Sequence, residues 1–285
     1  MSDDGASSVV LIAMLGNVFS PRYFAARERD DGRTALDFCA VNVAVHGPRS
    51  SRWAMTERGR SQLARGADAL AIGRTSLRWE RDALVADVDE RAAPWGTPVR
   101  GRVRFEPAAV HLDGEGRHGW YPHAPFGRIE VALEEPRVRF SGAGYFDSNE
   151  GLEPLEAAFS SWTWSRFATE DAVAIAYDVA LRGGELRARG VRIDRTGAAT
   201  PLVAGPQLDL PSTRWGLNRK VRSEPGASAR IVRTLEDGPF YARSIVGTSL
   251  GGAPVVGMHE AVSLDRFVAP WVRFLLPFRM RVEAA

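Results

Sequence analysis

Asp147 is the best candidate for acid–base chemistry in this sequence, because aromatic residues stand on both sides of it. Those residues are Tyr145, Phe146, Trp162 and Trp164. A carboxylate is costly to bury beside aromatic rings unless its charge is compensated. Such surroundings can keep the acid protonated at neutral pH, ready to donate a proton. The alternative is an exposed turn, since the run from Asp147 to Gly151 consists of ordinary turn formers, and composition alone favours that turn.

Histidine offers a second kind of chemistry. The sequence has five histidines, and two of them, His118 and His123, flank Trp120 and Tyr121. A zinc site needs three or four protein ligands, and no third candidate lies near this pair, so we predict hydrogen-bonding histidines and no metal site. The sequence also lacks a phosphate-binding loop, a dinucleotide fingerprint, a His-Glu-x-x-His motif and a nucleophile elbow.

The composition is that of a soluble globular protein, with 285 residues of which 45% are hydrophobic and 25% are charged. The net charge is only +2, and Lys220 is the single lysine among many arginines. No run of basic residues interleaved with stacking aromatics occurs, so we predict no nucleic-acid partner. Cys39 is the only cysteine, which excludes an intrachain disulfide and a Cys-based zinc site.

The sequence predicts a cytoplasmic protein that does not cross a membrane. No secretory signal is recognisable, and the apolar run Val9–Leu15 is far too short to span a bilayer. The C-terminal segment Phe267–Met280 is strongly apolar and carries arginines. It predicts either a closing strand with an ordinary hydrophobic terminus, or a basic and apolar patch that rests on an anionic membrane surface.

Alternation of apolar and polar residues is common and helical periodicity is scarce, which predicts an all-β fold with one or two short helices. The predicted strands lie within 99–105, 129–134, 137–140 and 173–179. Turn residues predict hairpins at Arg182–Glu185 and at Glu236–Gly238. Leucine and alanine recur at helical spacing in Gly59–Leu70, which is the one predicted helix.

A weak internal repeat predicts two related domains, residues 1–150 and 151–285. The apolar strand Asp171–Leu181 resembles Ala6–Leu15, and each follows an acidic turn. Each half is long enough for an antiparallel barrel of about eight to ten strands, and such a barrel can enclose a lipophilic ligand. Trp162–Arg166 is the predicted opening strand of the second barrel. It has no counterpart in the first half, which predicts a first barrel without its opening strand.

Five stretches carry a resemblance to a known family: Val18–Tyr23, Cys39–Ala44, Arg52–Arg60, Tyr145–Arg166 and His259–Phe267. Together they resemble the carotenoid 1,2-hydratases, also called hydroxyneurosporene synthases, of carotenoid-making purple bacteria. The resemblance covers essentially the whole chain and implies tandem lipocalin-like barrels. It also implies a tryptophan-rich strand ahead of the segment that matches Ser2–Leu15. A late start codon or an incomplete first barrel would account for the difference.

The resemblance implies a hydro-lyase that works without a cofactor. Its members add water to the terminal C1=C2 double bond of an acyclic carotenoid such as neurosporene or lycopene, which gives a 1-hydroxy carotenoid. With the apolar C-terminal segment, it predicts peripheral contact with the inner photosynthetic membrane. The family's essential residues match these positions: His118, Trp120, Tyr145 and Asp147.

Hydration of this alkene begins with proton transfer to C2, which leaves a tertiary cation at C1. Asp147 can donate that proton only if its pKa rises from about 3.9 toward neutrality, a bias of roughly 4 kcal/mol against the charged form. Trp120 would stabilise the cation by about 2 kcal/mol through cation–π attraction. His118 is expected to accept the proton of the attacking water and Tyr145 to orient the acid, although these two roles can be exchanged. Two further residues are expected to bind substrate: Trp162 and Trp164.

Two other functions fit the same sequence. A lipocalin-like carrier of an apolar ligand would use the same strands and tryptophans, but it gives no reason for an acid, a histidine and a tyrosine to match a catalytic set together. An isoprenoid cyclase could start from the same acid. A hydrated product gains one water, whereas a cyclised product is isomeric with its substrate. The preferred carotenoid, the number of ends hydrated and the oligomeric state stay open.

Overall fold

Strands dominate the computed structural model, which describes residues 1–110, 118–202 and 205–283. In chain order they are β1 (Ser8–Met14), β2 (Cys39–His46), β3 (Ser51–Arg58), β4 (Leu63–Arg65), β5 (Ala69–Ile72), β6 (Thr75–Glu80), β7 (Ala83–Ala92), β8 (Thr97–Ala109), β9 (His118–Glu135), β10 (Val138–Gly151), β11 (Phe159–Ala168), β12 (Ala172–Leu181), β13 (Leu186–Asp194), β14 (Ala199–Pro201), β15 (Gln207–Leu210), β16 (Arg219–Arg222), β17 (Arg230–Asp237), β18 (Tyr241–Leu250), β19 (Ala253–Ser263) and β20 (Arg281–Glu283). The all-β class is confirmed. The predicted strands lie in β8, β9, β10 and β12, and the predicted hairpins join β12 to β13 and β17 to β18.

The helices of the described residues are short. They are α1 (Pro21–Arg29), α2 (Leu155–Ala158), α3 (Leu264–Phe267) and α4 (Pro270–Leu275), with 3₁₀ helices at Ala35–Phe38, Arg60–Gln62 and Leu276–Phe278. The longest, α1, begins where Ser20 Oγ accepts a hydrogen bond from the backbone N–H of Tyr23 at 3.0 Å, and Pro21 occupies the first turn. Both features favour the start of a helix.

The helix predicted at Gly59–Leu70 is wrong. This segment forms a 3₁₀ turn followed by β4 and most of the hairpin to β5, in which Leu63 lies opposite Ile72. The backbone N–H of Gly66 bonds to the carbonyl of Ala69 at 2.8 Å and closes the hairpin. Leu63 and Leu70 both pack against the core from these strands. A hairpin can bring two leucines seven residues apart to one face, just as two helical turns would.

The closing strand predicted within Phe267–Met280 is also wrong, because this segment contains α4 and a 3₁₀ helix. The terminal strand, β20, follows it and pairs in parallel with β3. The apolar residues of the segment are therefore arranged on helical turns.

The strands form three larger sheets and one two-stranded ribbon. Their orders are β1-β2-β3-β20, β10-β9-β8-β7-β6-β5-β4, β14-β13-β12-β11-β19-β18-β17 and β15-β16. Each larger sheet ends in two edge strands, so over the described residues the sheets are open rows of strands and not closed barrels.

The chain divides into two compact units. The first consists of Met1–Ala108, Phe126–Tyr145 and Arg273–Ala285, and the second of Ala109–Pro125 and Phe146–Val272. The second unit therefore holds three candidate site residues that the sequence prediction counted with residues 1–150: His118, Trp120 and Asp147. The tandem-barrel boundary at residue 150 stays a prediction.

The first unit buries a charged side chain beneath its apolar strands. Nη1 and Nη2 of Arg58 donate to the two carboxylate oxygens of Glu90 at 2.9 and 3.0 Å, and Nε donates to Glu283 at 2.9 Å. Thr75 Oγ1 adds a hydrogen bond to Glu90 at 2.7 Å. Gly73, at φ +64°, leaves space for this arginine, because a Cβ there would lie 2.2 Å from its Nε. Breaking such a buried pair costs about 3–5 kcal/mol.

In the second unit, the ribbon β15-β16 bonds to residues of one face of the seven-stranded sheet. Arg222 forms an ion pair with Asp178 at 2.7 Å, and Arg219 donates to Ser244 at 3.0 Å. Residues alternate between the two faces along each strand. The neighbours of these residues in β11, β12, β18 and β19 therefore point to the opposite face, which carries the candidate site.

His259 lies on the ribbon-covered face and links stability to pH. Its Nε2 lies 2.8 Å from the carbonyl of Lys220, and burial lowers its pKa to about 4 from an ordinary value of about 6.5. Below pH 6.5 the unfolded chain takes up a proton that the folded chain refuses. The stability from this group is therefore complete above pH 6.5 and falls as the pH approaches 4.

We expect wild type to lose about 3 kcal/mol more unfolding free energy than His259→Gln between pH 7 and pH 4. Glutamine keeps a donor for the Lys220 carbonyl but does not titrate. Urea unfolding of both proteins at both pH values measures the difference, and other titrating groups cancel in the comparison. Equal losses would show that His259 does not set this slope.

Candidate active site

A hydrogen bond between two neighbouring strands forms the centre of the site. The indole Nε1 of Trp120, in β9, donates to Oδ2 of Asp147, in β10, at 3.0 Å. Trp120 is only 5% exposed, and Asp147 is half-buried. An indole N–H can only donate, so Oδ2 is the acceptor in this bond. The structure thus brings together two residues that lie 27 positions apart in the sequence.

The run from Asp147 to Gly151 is the end of β10 and not the turn that its composition favours. β10 is the edge strand of its sheet, where exposed polar side chains are common because they discourage pairing with another chain. Ser148, Asn149 and Glu150 are exposed, which explains the turn-like composition.

His118 lies near the ends of the same two strands. Its Nε2 is 3.3 Å from Oε1 of Glu153, and its ring centroid lies 4.5 Å from that of Phe159. Nδ1 is buried and has no hydrogen-bond partner among the described residues. A Cβ at Gly151 would lie 2.7 Å from this nitrogen, so the imidazole packs closely against the glycine backbone. Glu153, which the sequence analysis did not single out, is the partner that orients this histidine.

His123 points to the opposite face of the strand pair from His118. Its Nε2 lies 2.7 Å from Ser148 Oγ, and burial lowers its pKa. On the same face, Tyr121 donates to Glu150 at 2.8 Å. The two histidines are five residues apart in one strand, so alternation separates them. No group of three or more metal-ligating side chains occurs in the parts of the chain that the structure describes, and His111 lies outside those parts.

The seven-stranded sheet of the second unit contributes an aromatic row to the site. Trp162 and Trp164 lie in β11, and Trp164 pairs across the sheet with Tyr177 of β12 on one side and Glu260 of β19 on the other. The ring of Tyr177 lies 5.7 Å from Trp162, edge-on, and 6.0 Å from Trp120. This tyrosine therefore connects the expected substrate-binding tryptophans with the acid.

Tyr177 is a site residue that the sequence analysis missed. Burial raises its pKa well above the usual range, and the nearby charges of Asp147 and Glu260 act in the same direction. The phenol is consequently neutral at any ordinary pH. A signal for it exists in the sequence, because Tyr177 is the only aromatic residue of β12.

Glu260 is held by a buried arginine. Arg243 Nε donates to Glu260 Oε1 at 2.9 Å, and its Nη1 donates to Glu236. Burial by itself would lower the pKa of Arg243, but Tyr241, Glu260 and Glu236 outweigh it and keep this guanidinium charged. Cross-strand pairing places Glu236, Arg243 and Glu260 in one line with Trp164.

Tyr145 is half-buried in β10 and belongs to the first unit, whereas the other three matched residues belong to the second. One hydrogen bond that orients Asp147 comes from Trp120. The role expected for Tyr145 stays a prediction.

This arrangement suits proton transfer to an apolar substrate. A carboxyl group that is oriented by a hydrogen-bond donor can deliver a proton in a defined direction. The rings of Trp120, Trp162 and Tyr177 offer π-faces that can stabilise a cation formed nearby.

Comparisons with known proteins identify the family. Residues 11–284 match the family Carotenoid hydratase CrtC. The chain is 47% identical to an acyclic carotenoid 1,2-hydratase of Thiocapsa roseopersicina, over 98% of this chain and 70% of the relative. It is 42% identical to the enzyme of the same name in Rubrivivax gelatinosus, over 98% of this chain and 71% of the relative. A third relative of that name, from Cereibacter sphaeroides, is 36% identical over 95% of this chain and 97% of its own length.

A solved structure shows the same fold. A putative AttH protein from Nitrosomonas europaea superposes with a TM-score of 0.59 at 12% sequence identity, over 80% of this chain and 81% of that chain. This agreement confirms the lipocalin-like character of the β-sheets, and it bears on the fold alone.

Two tryptophans of this site provide a matched test of the central hydrogen bond. Trp120 donates to Asp147, whereas the buried Nε1 of Trp162 has no acceptor among the described residues. We expect Trp120→Phe to lower the unfolding free energy by about 2 kcal/mol more than Trp162→Phe, because only the first change removes a hydrogen bond and leaves a half-buried carboxyl oxygen without that donor. Urea unfolding measures both, and equal losses would show that the bond contributes nothing.

Proposed function

The chain belongs to the carotenoid hydratase family, and the relatives named above are hydro-lyases; we propose the specific reaction that it catalyses. The protein adds water to the terminal C1=C2 double bond of an acyclic carotenoid such as neurosporene or lycopene. The product is the 1-hydroxy carotenoid. The observation that carries the proposal is the carboxyl group of Asp147, oriented by Trp120 and adjoined by an aromatic row.

The first step is proton transfer. The O–H bond of the Asp147 carboxyl group breaks and a C2–H bond forms, which leaves a positive charge at C1 and a carboxylate on Asp147. The donor must be fixed close to C2, because the alkene offers no polar group to guide it. The bond from Trp120 supplies this orientation and strengthens as the carboxylate develops charge.

The second step is stabilisation of the cation. Rings within about 6 Å of a desolvated positive charge contribute about 2 kcal/mol. Trp120, Trp162 and Trp164 are proposed to form this surface and to bind the polyene.

The third step is attack by water. A C1–O bond forms and the water loses one proton, which His118 accepts in this proposal. Glu153 orients the imidazole from 3.3 Å, as a general base requires. Proton transfer back to Asp147 restores the starting state. The carotenoid and one water are consumed without any net oxidation or reduction, so no cofactor is proposed.

Asp147→Asn tests the acid directly. Asparagine keeps the shape and an acceptor for Trp120 but supplies no acidic proton, so hydration of lycopene should fall by about a thousandfold. Incubation of purified protein with lycopene, followed by mass analysis for the gain of one water, measures the rate. Glu150→Gln on the opposite face is the control and should stay active.

Hydration by folded Asp147→Asn at the wild-type rate would overturn the acid assignment. An isomeric product from the wild type would instead indicate an isoprenoid cyclase. Bound but unchanged lycopene would indicate a carrier.

We also propose that α4 and the following 3₁₀ helix contact an anionic membrane surface. Phe274 and Phe278 are 70% and 66% exposed, and their rings pack edge to face at 5.6 Å. The guanidinium of Arg273 lies 4.5 Å from the ring centroid of Phe24, and that of Arg279 lies 4.5 Å from the ring centroid of Trp53. Exposed aromatics beside cations suit the lipid headgroup region. Among the described residues, no helix combines the length and the apolar character needed to cross a membrane.

Vesicle binding tests this contact. Replacement of both Phe274 and Phe278 by serine should weaken binding to phosphatidylglycerol vesicles at least about tenfold, because two apolar side chains no longer insert. Co-sedimentation measures binding, and Leu152→Ser is the control, since Leu152 is 89% exposed but lies in the second unit. Unchanged binding by the double variant would contradict the proposal.

A further inference from the structure

We propose that Tyr177 holds the attacking water, and that Glu260 orients the tyrosine for this task. The inference rests on the proposed hydration. Once C2 is protonated, the cation can add water at C1, or it can lose a proton from C2 and return to substrate. A residue that fixes water beside C1 decides between these outcomes.

To hold the attacking water, Tyr177 must lie close to the acid and to the tryptophans. Its ring contacts Trp120, whose indole N–H bonds to the acid, and it also contacts Trp162. A hydrogen bond also joins β9 to β11, because Arg166 of β11 donates to the carbonyl of Pro125 in β9 at 2.9 Å. Cross-strand pairing puts Tyr177 and Trp164 on one face. The phenol therefore lies on the face where the acid and the tryptophans meet.

To orient the tyrosine, Glu260 must itself be held in a fixed position. It is the other cross-strand neighbour of Trp164, and Arg243 fixes its carboxylate from 2.9 Å. Arg243 is itself paired with Glu236, so the carboxylate belongs to an anchored ion pair. The row Tyr177–Trp164–Glu260 brings a neutral hydroxyl and a fixed carboxylate to one face of three adjacent strands.

A neutral phenol in this setting can order a water molecule. Burial and the two neighbouring carboxyl groups keep the hydroxyl protonated. In this proposal the phenol hydrogen turns toward the anchored carboxylate on the other side of Trp164, and the phenol oxygen accepts a hydrogen bond from water. Water that donates one hydrogen to the phenol oxygen keeps a lone pair to form the C1–O bond. Its second hydrogen is transferred as a proton to His118, the base of the proposed mechanism.

Deuterium exchange separates water capture from the acid step. In D₂O, Asp147 delivers one deuteron to C2, and the cation then becomes alcohol or reverts by loss of hydrogen to lycopene deuterated at C2. We expect Tyr177→Phe to form alcohol about a hundredfold more slowly, while recovered lycopene still gains deuterium. The ratio of deuterated lycopene to alcohol should therefore rise sharply. Asp147→Asn should give neither product.

Two further variants complete the design. Glu260→Gln should shift the same ratio in the same direction by about tenfold, because a neutral amide is the weaker acceptor. This variant tests the inference even if Tyr177→Phe folds poorly. Tyr121→Phe is the matched control, since Tyr121 also bonds to a carboxylate but on the opposite face of β9, and it should leave the ratio unchanged.

The role of Tyr177 is overturned if Tyr177→Phe keeps the wild-type ratio. It is also overturned if this variant loses exchange and hydration together, because Tyr177 would then serve the acid step. If the wild-type protein neither hydrates lycopene nor exchanges deuterium into it, the proposed function itself is overturned. This result is measured on the wild type, whereas the two results above are measured on Tyr177→Phe, so the two failures can be distinguished.

Discussion

The hydrogen bond from Trp120 to Asp147 is the interaction on which the site depends. It joins two adjacent strands through a group that can only donate, so it fixes the carboxyl group in one orientation. The same indole contacts Tyr177 of the neighbouring sheet. One side chain therefore orients Asp147, the proposed acid, and adjoins the aromatic row that would face the cation in the proposed reaction.

Polar groups are costly inside an apolar site, and this protein compensates them in pairs. Arg243 stands between Glu236 and Glu260, and the imidazole of His118 lies beside Glu153. The first unit uses the same principle where Arg58 is buried with Glu90. Arg243 and Arg58 are buried as charged groups because their carboxylate partners offset the desolvation. Removing one partner would therefore leave the other as an uncompensated buried charge.

Strand periodicity explains both the correct and the wrong predictions. The two-residue alternation identified both strands: around Val131 apolar residues alternate with charged ones, and around Val173 large apolar residues alternate mainly with alanines. The spacing of Leu63 and Leu70 suggested a helix, yet a hairpin meets the same spacing. The turn-like run after Asp147 belongs to an edge strand, where polar residues are as common as they are in turns.

The fold class, the family and a set of candidate residues can be predicted from the amino-acid sequence, because alternation and long motifs are local properties of the chain. These predictions place Asp147 among aromatic residues and match His118 and Trp120 to the same family. The folded structure is needed to show that Trp120 donates to Asp147, that His123 faces away from His118, and that Tyr177 and Glu260 flank Trp164. These relations join strands that are distant in sequence, and they follow from sheet order and register, which a single strand does not specify.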